Sequence, residues 1–512
     1  MSVDLRELEE DLREEADVCV IGSGAGGAVA AAEIAAGGRS VVVLEQGPHW
    51  TAPDFTQREE EMLPRLFEEA GMRQTVDGSV IILQGRNVGG STVHNLCYSF
   101  RTPEPILRLW GREFGLVSLT PEALAPSLER VERNLKVQPI REDEINAMNR
   151  VIRAGAEKLG YSGLVAKHNR ENCVQSGFCI LGCFFGAKQS MLVTYVPRAE
   201  EAGARVLASA RAERIETRGG RVQRVRGHAV DEAGRPGRSF EIEAKVVVLA
   251  AGAIASPDLL LRSGIANSSG LVGRNLHLHP QVMLAGIFEE SLRPYRGIPQ
   301  SYLVDEFIDL DRDPRSGYYL MPVTGFPALT AASLPGFGSD HFRFMKSFDH
   351  TAGLLVLLHD QSSGSVRPGP SLSRPEVRYS FEEEDRRRLA RGLVHSAELL
   401  FAGGARRVVV PYWVDPLVLE PGDALGAIEK RGVREGEIAI SAAHPQSTCG
   451  MGSDPSKSVV NEFGESHEVS GLFVADMSVF PTSLGAPPQI TTAALADRTA
   501  HHILERWPEL AG

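Results

Sequence analysis

The chain has 512 residues, of which 43% are hydrophobic and 23% charged, with a formal net charge of −12. These values are typical of a globular protein, and at this length we expect two domains rather than one core. The negative charge argues against nucleic acid as a partner, and no apolar run approaches the ~20 residues that span a bilayer. Six cysteines in so long a chain do not make a disulfide scaffold.

The N-terminal residues 1–18 are acidic and lack the apolar segment of an export signal. Their composition predicts a short helix on the surface. The absence of a recognisable export signal predicts a cytoplasmic protein.

A glycine-rich turn after a short apolar strand is the strongest local pattern. Residues 18–21 predict a buried strand, and the glycines that follow fit G-x-G-x-x-G at Gly22, Gly24 and Gly27. The alanine-rich stretch after them predicts a helix that ends at the glycine pair 37–38. Such glycines let the backbone approach a pyrophosphate at the helix N-terminus, where free N–H groups favour anions.

An acidic residue completes this pattern. The apolar stretch 40–44 predicts the second strand, and Glu45 follows it, 23 residues past Gly22. A carboxylate at that position can accept hydrogen bonds from a ribose diol. An ordinary tight turn between strand and helix is the alternative, but it explains only the glycines. The whole order predicts a dinucleotide site and does not choose between NAD and FAD.

Four further segments carry a resemblance to a known family. They are glycine-rich or apolar stretches at residues 85–96, 245–265, 272–280 and 444–498. Together with the first glycine turn they resemble the glucose-methanol-choline (GMC) oxidoreductases, an FAD family. The last segment is similar to the long-chain alcohol oxidase branch, with sterol oxidases somewhat further off.

The resemblance implies an α/β fold with a Rossmann-like FAD-binding domain of the GMC and p-hydroxybenzoate hydroxylase-like type. A second, α+β domain would bind the substrate on an antiparallel sheet. The FAD-binding domain would be discontinuous, with pieces 1–105, 185–285 and 440–512. The substrate-binding domain would take 106–184 and 286–439.

The resemblance also implies which residues contact FAD. These cofactor-binding residues are Gly22, Gly24, Gly27, Glu45, Gly89, Gly90, His94, Asn95, Val206, Asp476 and Pro488. Val206 falls where the family touches the adenine, Asn95 lies along the flavin ring, and Asp476 meets the ribityl-pyrophosphate region. An aspartate after a strand can also merely cap the next turn, which is the alternative for Asp476.

His94 occupies the position at which choline oxidase-like members attach FAD covalently through a histidine. A covalent bond would make the flavin a stronger hydride acceptor. The alternative is a histidine that packs beside the flavin without a bond.

His444 is the catalytic residue that the resemblance implies. Oxidation of an alcohol removes a proton from oxygen while a hydride leaves carbon for flavin N5, and a histidine suits the proton step. A histidine that only packs on the flavin is the alternative. The family's second catalytic residue, an asparagine or histidine, falls on Pro487, whose side chain has no donor or acceptor.

Pro487 leaves three interpretations open. Another polar side chain replaces the missing one, and Gln446, Gln489 and Ser483 are the nearest candidates in sequence. Alternatively, His444 acts alone on a substrate with an activated C–H bond. In the third interpretation the site no longer oxidises alcohols.

Two groups of residues superficially resemble metal ligands. Cys173, Cys179 and Cys183 follow the spacing of an iron–sulfur motif, but one ligand of that motif is missing, so we expect reduced cysteines. His277 and His279 alternate along a predicted strand without an acidic partner nearby in sequence, and we expect structural or site-lining roles. The sequence therefore predicts no metal.

Alternating apolar stretches in residues 291–440 predict strands around a pocket. Few charges in these stretches favour a lipophilic substrate, such as a long-chain alcohol, a terpenoid or a sterol. Residues 364–376 predict a surface loop or lid, and Ser380 is the expected N-cap of the next helix. The aromatic residues of the region, more often core than ligand-facing, are Phe307, Tyr318, Tyr319, Phe342, Phe344, Phe348 and Trp413.

The leading hypothesis is an FAD-dependent oxidase or dehydrogenase that oxidises the CH–OH group of a hydrophobic alcohol. His444 would be the base, and O2 or a quinone-like carrier the final electron acceptor. The alternative is a non-redox or light-driven lyase or decarboxylase on the same fold, because Pro487 replaces the usual second residue. A flavin-bound protein without turnover is a further alternative, against which His444 argues.

Overall fold

The computed structural model describes residues 3–371 and 374–511. Two large sheets organise the described chain, one of eight strands and one of nine. Smaller sheets of three and two strands lie beside them.

The first sheet has a parallel centre of the Rossmann type, as the sequence predicts. Across the sheet its strands run Val3–Asp4, Arg205–Ala208, Val41–Leu44, Leu12–Ile21, Pro236–Leu249, Arg221–Val230 and Ala210–Arg218, and Leu472–Val474 also pairs with Pro236–Leu249. The register of the central pair ends with Leu249 opposite Ile21. Because the carboxyl ends of parallel strands meet at one edge, the segments after these strands converge there.

Helices cover the first sheet. The alanine-rich helix Gly27–Ala36 is buried along almost its whole length between the sheet and the helices Tyr195–Glu201 and Gln489–Glu505. Small side chains on Gly27–Ala36 permit this close packing. The helix Gln489–Glu505 thereby places the segment just before it beside the edge where the carboxyl ends of the parallel strands meet.

The second sheet is mainly antiparallel and supplies a wall of the site. Across the sheet its strands run Leu417–Leu419, Arg407–Val410, Gln281–Ile287, Thr351–Leu358, Tyr318–Val323, Tyr302–Val304 and Gly163–Val165. Ser441–Ala442 also pairs with Gln281–Ile287, and Ile81–Ile82 pairs with Ser441–Ala442. The helix Glu383–Ala402 packs on one face, against Thr351–Leu358 and Gln281–Ile287. Side chains alternate along these strands, so the opposite face is free to line a cavity.

Shorter elements complete the described chain. The remaining α-helices are Glu59–Leu66, Glu104–Phe114, Pro121–Asn134, Ala147–Leu159, Gly252–Ser263, Pro327–Ser333, Gly338–Lys346, Gly426–Arg431 and Trp507–Ala511. The remaining strands are Val137–Pro139, Lys167–Asn169, Arg274–Leu276, Ser363–Ser371 and Arg374–Ser380. No helix among residues 3–371 and 374–511 combines the length and apolarity that a membrane span requires.

The short N-terminal helix expected from the sequence is reduced to one 3-10 turn, Leu5–Glu7, between the strands Val3–Asp4 and Leu12–Ile21. Residues 12–21 form a strand, because Leu12 pairs with Phe240 and the following residues alternate between half-buried and exposed before the core begins at Ala16. Residues 1–2 lie outside the described chain.

Two further local expectations were also wrong. Residues 364–371 and 374–376 belong to a hairpin in which Ser363 pairs with Ser380, so they are not a surface loop. Residues 372–373 lie outside the description. Because Ser380 is held in this hairpin, the helix begins only at Glu383, and its N-cap is Glu382 without a side-chain hydrogen bond.

Candidate functional site

A cavity of about 410 Å³ lies between the first sheet, at the edge where its parallel strands end, and the free face of the second sheet. Glu45 belongs to its lining, and so do His444 and Pro487. We call the lining residues Gly22, Gly24 and Glu45 the nucleotide end and the lining residues His444 and Pro487 the catalytic end. The predicted site residues that line it are Gly22, Gly24, Glu45, Gly90, His94, Asn95, His444, Asp476 and Pro488. Gly27, Gly89 and Val206 are not among the lining residues.

Close backbone contacts shape the first glycine turn. Gly22 has a φ of +100°, and a Cβ atom there would lie 2.3 Å from the carbonyl oxygen of Ala250. A Cβ atom on Gly27 would lie 1.9 Å from the Gly22 carbonyl oxygen, so Gly27 serves helix packing. A Cβ atom on Gly24 would meet only Gly90 Cα, at 4.0 Å, so Gly24 leaves room for a ligand.

The second glycine turn closes against the first. Gly90 has a φ of +56°, and a Cβ atom on it would lie 2.8 Å from Gly24 Cα. Gly89 points toward the protein, where its Cβ atom would lie 2.9 Å from the Leu192 nitrogen. The Gly89 N–H donates to Ser23 Oγ at 2.9 Å, which links the two turns. The turns together form one narrow backbone cradle.

Glu45 lies at the end of its strand and ties the first turn in place. Oε2 accepts hydrogen bonds from the Ser23 N–H at 3.1 Å and the Ser23 hydroxyl at 2.7 Å. Oε1 accepts from the Gly47 N–H at 2.8 Å. Burial raises the pKa of Glu45, while these hydrogen bonds oppose the shift. In this structure the carboxylate supports the turn as well as lining the cavity.

Val206 is not among the residues that line the cavity. It is 1% exposed in the strand Arg205–Ala208, where it pairs with Val43. Residues 210–212, just after that strand, line the cavity instead. The backbone next to Val206, rather than its side chain, is therefore what a ligand at this end can reach.

Asp476 lines the cavity and also caps two helical segments. Oδ2 accepts from the Gly252 N–H at 2.8 Å, at the start of the helix Gly252–Ser263. Oδ1 accepts from the Ser478 N–H at 2.8 Å, in the 3-10 helix Met477–Val479. Burial raises the pKa of Asp476 against these hydrogen bonds. The capping role that the sequence left open is therefore present.

A buried lysine holds the loop that carries His94 and Asn95. The Lys188 ammonium donates to the carbonyl oxygens of Val93, at 2.9 Å, and of Asn95. Burial, with Lys188 nearby, lowers the pKa of His94 to about 3, so His94 is neutral. Its ring centroid lies 3.9 Å from that of Phe67, and no hydrogen bond to its Nε2 is present among the described residues.

His444 meets a second histidine that the sequence did not connect with it. Its Nδ1 lies 3.2 Å from Nδ1 of His279, and the two rings are almost perpendicular, at 88°. His279 Nε2 accepts a hydrogen bond from the Gly485 N–H at 3.1 Å. Burial lowers the pKa of His444 to about 4, although the charge of Asp360 opposes this shift.

Asp360 holds the segment that carries His279 through hydrogen bonds. Its carboxylate accepts hydrogen bonds from the N–H of Leu278 at 2.9 Å, the Ser483 hydroxyl at 2.6 Å and the Tyr379 hydroxyl at 2.6 Å. Burial alone would raise the pKa of Asp360, but hydrogen bonding and the nearby His277 hold it low. Asp360 thus fixes the backbone that carries His279.

The three polar candidates near Pro487 differ in their partners. Ser483 donates to Asp360. Gln446 donates to the His444 carbonyl oxygen at 3.2 Å and accepts from the Leu484 N–H at 3.1 Å. Gln489 lines the cavity, accepts from the Asn95 amide, and no hydrogen bond from its Nε2 is present among the described residues. Of the three candidates, Gln489 is the one whose residue lines the cavity and whose amide nitrogen is buried without a hydrogen-bond partner in the described structure.

The three predicted cysteines meet a fourth from the loop that follows Asn95. Cys97, Cys173, Cys179 and Cys183 line a small neighbouring cavity of about 20 Å³ with Lys188. All four are free cysteines. Within the described ranges, no three His, Cys, Asp or Glu side chains are grouped as a metal site requires.

The second sheet gives the cavity an apolar wall. The lining side chains from its strands include Met283, Met321, Val323, Leu355 and Leu357. The seven aromatic residues named from the sequence are absent from the lining, whose aromatic side chains are Phe67 and Tyr98. Of the seven, Tyr318, Tyr319 and Phe348 are buried, whereas Phe342 and Trp413 are exposed, so the core role expected for the group holds only in part.

Comparison with protein families agrees with these features. A GMC oxidoreductase family model matches residues 63–281, and a second GMC oxidoreductase model matches residues 360–496. A model of an NAD(P)-binding Rossmann-like domain matches residues 20–64.

Individual relatives and solved structures are also similar. A GMC-type oxidoreductase of Mycobacterium tuberculosis is 32% identical over 94% of this chain and 74% of its own length. A long-chain-alcohol oxidase of Arabidopsis thaliana is 32% identical over 94% of this chain and 66% of its own length. The crystal structure of pyridoxine 4-oxidase from Mesorbium loti superposes with a TM-score of 0.72 at 20% identity, covering 95% and 98% of the two chains.

Proposed function

Because the chain belongs to the GMC oxidoreductase family, we propose that it oxidises the CH–OH group of a hydrophobic alcohol, with His444 as its acid–base residue. The protein is an FAD-dependent oxidoreductase. The observation that supports the finer proposal is that one cavity is lined by the glycine cradle, His444 and an apolar wall.

The residues present fit FAD. The two glycine turns form a backbone cradle that is open at Gly24. A side chain on Gly90 would close it, because its Cβ atom would collide with the first turn. His94 and Gln489 each have a ring or amide nitrogen without a hydrogen bond in the described structure. When bound, FAD supplies a hydride acceptor. We propose that the cradle holds its pyrophosphate and that Asn95 and His94 lie beside its ring.

His444 is placed to handle the substrate proton. Its ring borders the cavity, and its Nδ1 is engaged by His279, so Nε2 is the nitrogen available to a bound molecule. Its lowered pKa, about 4, keeps it neutral at pH 7. A neutral imidazole that contacts the hydroxyl oxygen can take its proton as the hydride leaves carbon.

We assign the second polar contact to Gln489. It lies two residues after Pro487 in the chain, and its unused amide donor suits the substrate oxygen. Ser483 and Gln446 are engaged by other groups. Gln489 therefore supports the interpretation in which another polar side chain compensates for Pro487.

The apolar wall indicates the substrate class. Methionine, valine and leucine side chains face the cavity from the second sheet, and burying an alkyl chain there contributes ~0.8 kcal/mol per methylene. We therefore propose a long-chain alcohol, a terpenoid or a sterol, with O2 or a quinone-like carrier as acceptor. The Arabidopsis relative, named a long-chain-alcohol oxidase, supports the first of these.

Anaerobic mixing of the holoenzyme with alcohols tests the proposal. We expect primary alcohols of increasing chain length to bleach the visible flavin absorption, with tighter apparent binding as the chain grows. A flavin that stays oxidised with long-chain alcohols, sterols and terpenoid alcohols would contradict the proposal. Turnover of another substrate by His444→Gln protein would then favour a lyase or decarboxylase.

A further inference from the structure

The proton positions in the His279–His444 pair follow from one backbone contact. The Gly485 N–H points at His279 Nε2 from 3.1 Å, and a backbone N–H can only donate. His279 Nε2 must therefore accept and carry no proton. His279 is fully buried, and burial together with the neighbouring His444 holds its pKa well below the ordinary value, so the ring is neutral.

A neutral imidazole carries one proton, so that of His279 is on Nδ1. Nδ1 of His279 then donates to Nδ1 of His444 across 3.2 Å. His444 accepts at Nδ1 and, being neutral too, carries its own proton on Nε2. Nε2 is the nitrogen of His444 that remains available to a molecule in the cavity.

We propose that His279 is a positioning residue that holds the proton of His444 on Nε2 in the resting enzyme. A substrate oxygen entering the cavity then first meets an N–H donor rather than a base. Gly485, through its backbone N–H, and Asp360, which holds residues 278–279 by their N–H groups, keep His279 in place.

What this tautomer means for catalysis rests on the proposed function of His444 as a proton acceptor. For His444 to accept a hydroxyl proton at Nε2, its resident proton must occupy Nδ1 instead. Nδ1 would then donate to His279, whose own proton would move to Nε2. Two N–H groups, those of His279 and Gly485, would face each other across the 3.1 Å contact. The tautomer of His444 that accepts a proton at Nε2 is therefore disfavoured by the Gly485 N–H.

Nitrogen-15 NMR of the histidine-labelled holoenzyme at pH 7 tests the proton positions without any turnover. The resonances of His444 are identified by their loss in His444→Gln protein. We expect its Nδ1 to give the strongly deshielded signal of an unprotonated ring nitrogen and Nε2 the signal of a protonated one. The reversed pattern, with the proton on Nδ1, would overturn the proposal.

His279→Asn tests which residue sets this pattern. The asparagine amide can either donate to or accept from His444 Nδ1, so we expect the two His444 signals to move toward averaged values. His359→Asn is the matched control: His359 is also buried, and its ring lies 6.2 Å from that of His279. Its Nε2 donates to the Ser483 carbonyl oxygen, so this change should leave the His444 signals in place.

The outcomes separate this inference from the proposed function. Unchanged His444 signals in folded His279→Asn protein would overturn the role of His279. If that variant does not fold, the wild-type spectrum still decides where the His444 proton lies. Failure of every alcohol to reduce the flavin would remove the proposed function and leave the measured tautomer as it is.

Discussion

The two ends of the cavity are built by different kinds of contact. At the nucleotide end, backbone approaches such as that of Gly22 to Ala250 dominate, and Glu45 reaches a partner 22 residues away. At the catalytic end, His444 depends on a side chain 165 residues away. The comparison teaches that both ends need distant segments to pack, while only the first also has a local strand, turn and helix motif that is visible in the sequence.

The largest expected effect is at the catalytic end. His444→Gln should slow flavin reduction by alcohols by ~10²–10⁴-fold, because it removes the acid–base group. FAD binding should persist, since the glycine cradle is unchanged, and the visible spectrum of the purified variant checks this. A rate within about threefold of the wild type would show that His444 only packs against the flavin.

At the nucleotide end, Gly22→Ala should be the most damaging small change. Alanine is strained at a φ of +100°, and its Cβ atom would collide with the Ala250 carbonyl oxygen. We expect a loss of ~3 kcal/mol or more in unfolding free energy, with loss of bound FAD. Gly38→Ala is the matched control: its φ is +81°, and a Cβ atom there meets nothing within 4 Å. Backbone strain alone should lower the unfolding free energy of the Gly38→Ala protein by ~1 kcal/mol. Equal losses in urea unfolding would contradict the packing argument.

Acid should destabilise the fold through buried neutral histidines such as His359. Burial lowers the pKa of His359 to about 4 in the folded protein, below its ordinary 6.5. The unfolded chain therefore binds more protons between these values, and stability falls as the pH drops from 6.5 to 4. The loss for one such histidine approaches ~1.4 kcal/mol per pH unit.

Urea unfolding of wild-type and His359→Asn protein between pH 7 and 4.5 measures this slope. The variant should lose less stability over that interval than the wild type. Identical pH slopes would show that His359 does not titrate differently in the folded and unfolded states.

The smallest effect concerns the group that replaces the family's second catalytic residue. Gln489→Leu should lower kcat/KM about tenfold, the loss expected for one hydrogen bond to a substrate oxygen. Thr492→Val, one turn along the same helix, should change it less than about twofold, because the Thr492 hydroxyl bonds the Pro488 carbonyl oxygen at 2.9 Å. Equal effects of the two substitutions would remove Gln489 from the site.

The strand, turn and helix at the nucleotide end were predictable because the pattern that indicates them lies within one short stretch of sequence. Gly22, Gly24 and Glu45 lie where the strand, turn and helix pattern puts them, and all three border the cavity. The boundaries of helices and strands were less predictable. Ser380 has the chemistry of an N-cap, yet its strand pairing with Ser363 outweighs that preference.

The catalytic end was predicted only in part. His444 was named as a catalytic candidate, but its partner His279 was seen only as one of a histidine pair with no acidic neighbour in sequence. Asp360 holds that segment from 81 residues away, and Gly485 contacts it from 206 residues away. Cys97 likewise joins the three cysteines only through folding. Contacts between such distant positions leave no pattern of spacing in one sequence.

Anaerobic stopped-flow reduction of the bound flavin by a long-chain primary alcohol, with and without deuterium at carbon 1, tests the central claim most directly. We predict that the alcohol bleaches the flavin and that deuterium slows the bleaching several-fold, because the C–H bond breaks as the hydride leaves. A flavin that no such alcohol reduces, or a reduction rate that deuterium leaves unchanged when the substrate is saturating, would contradict the account.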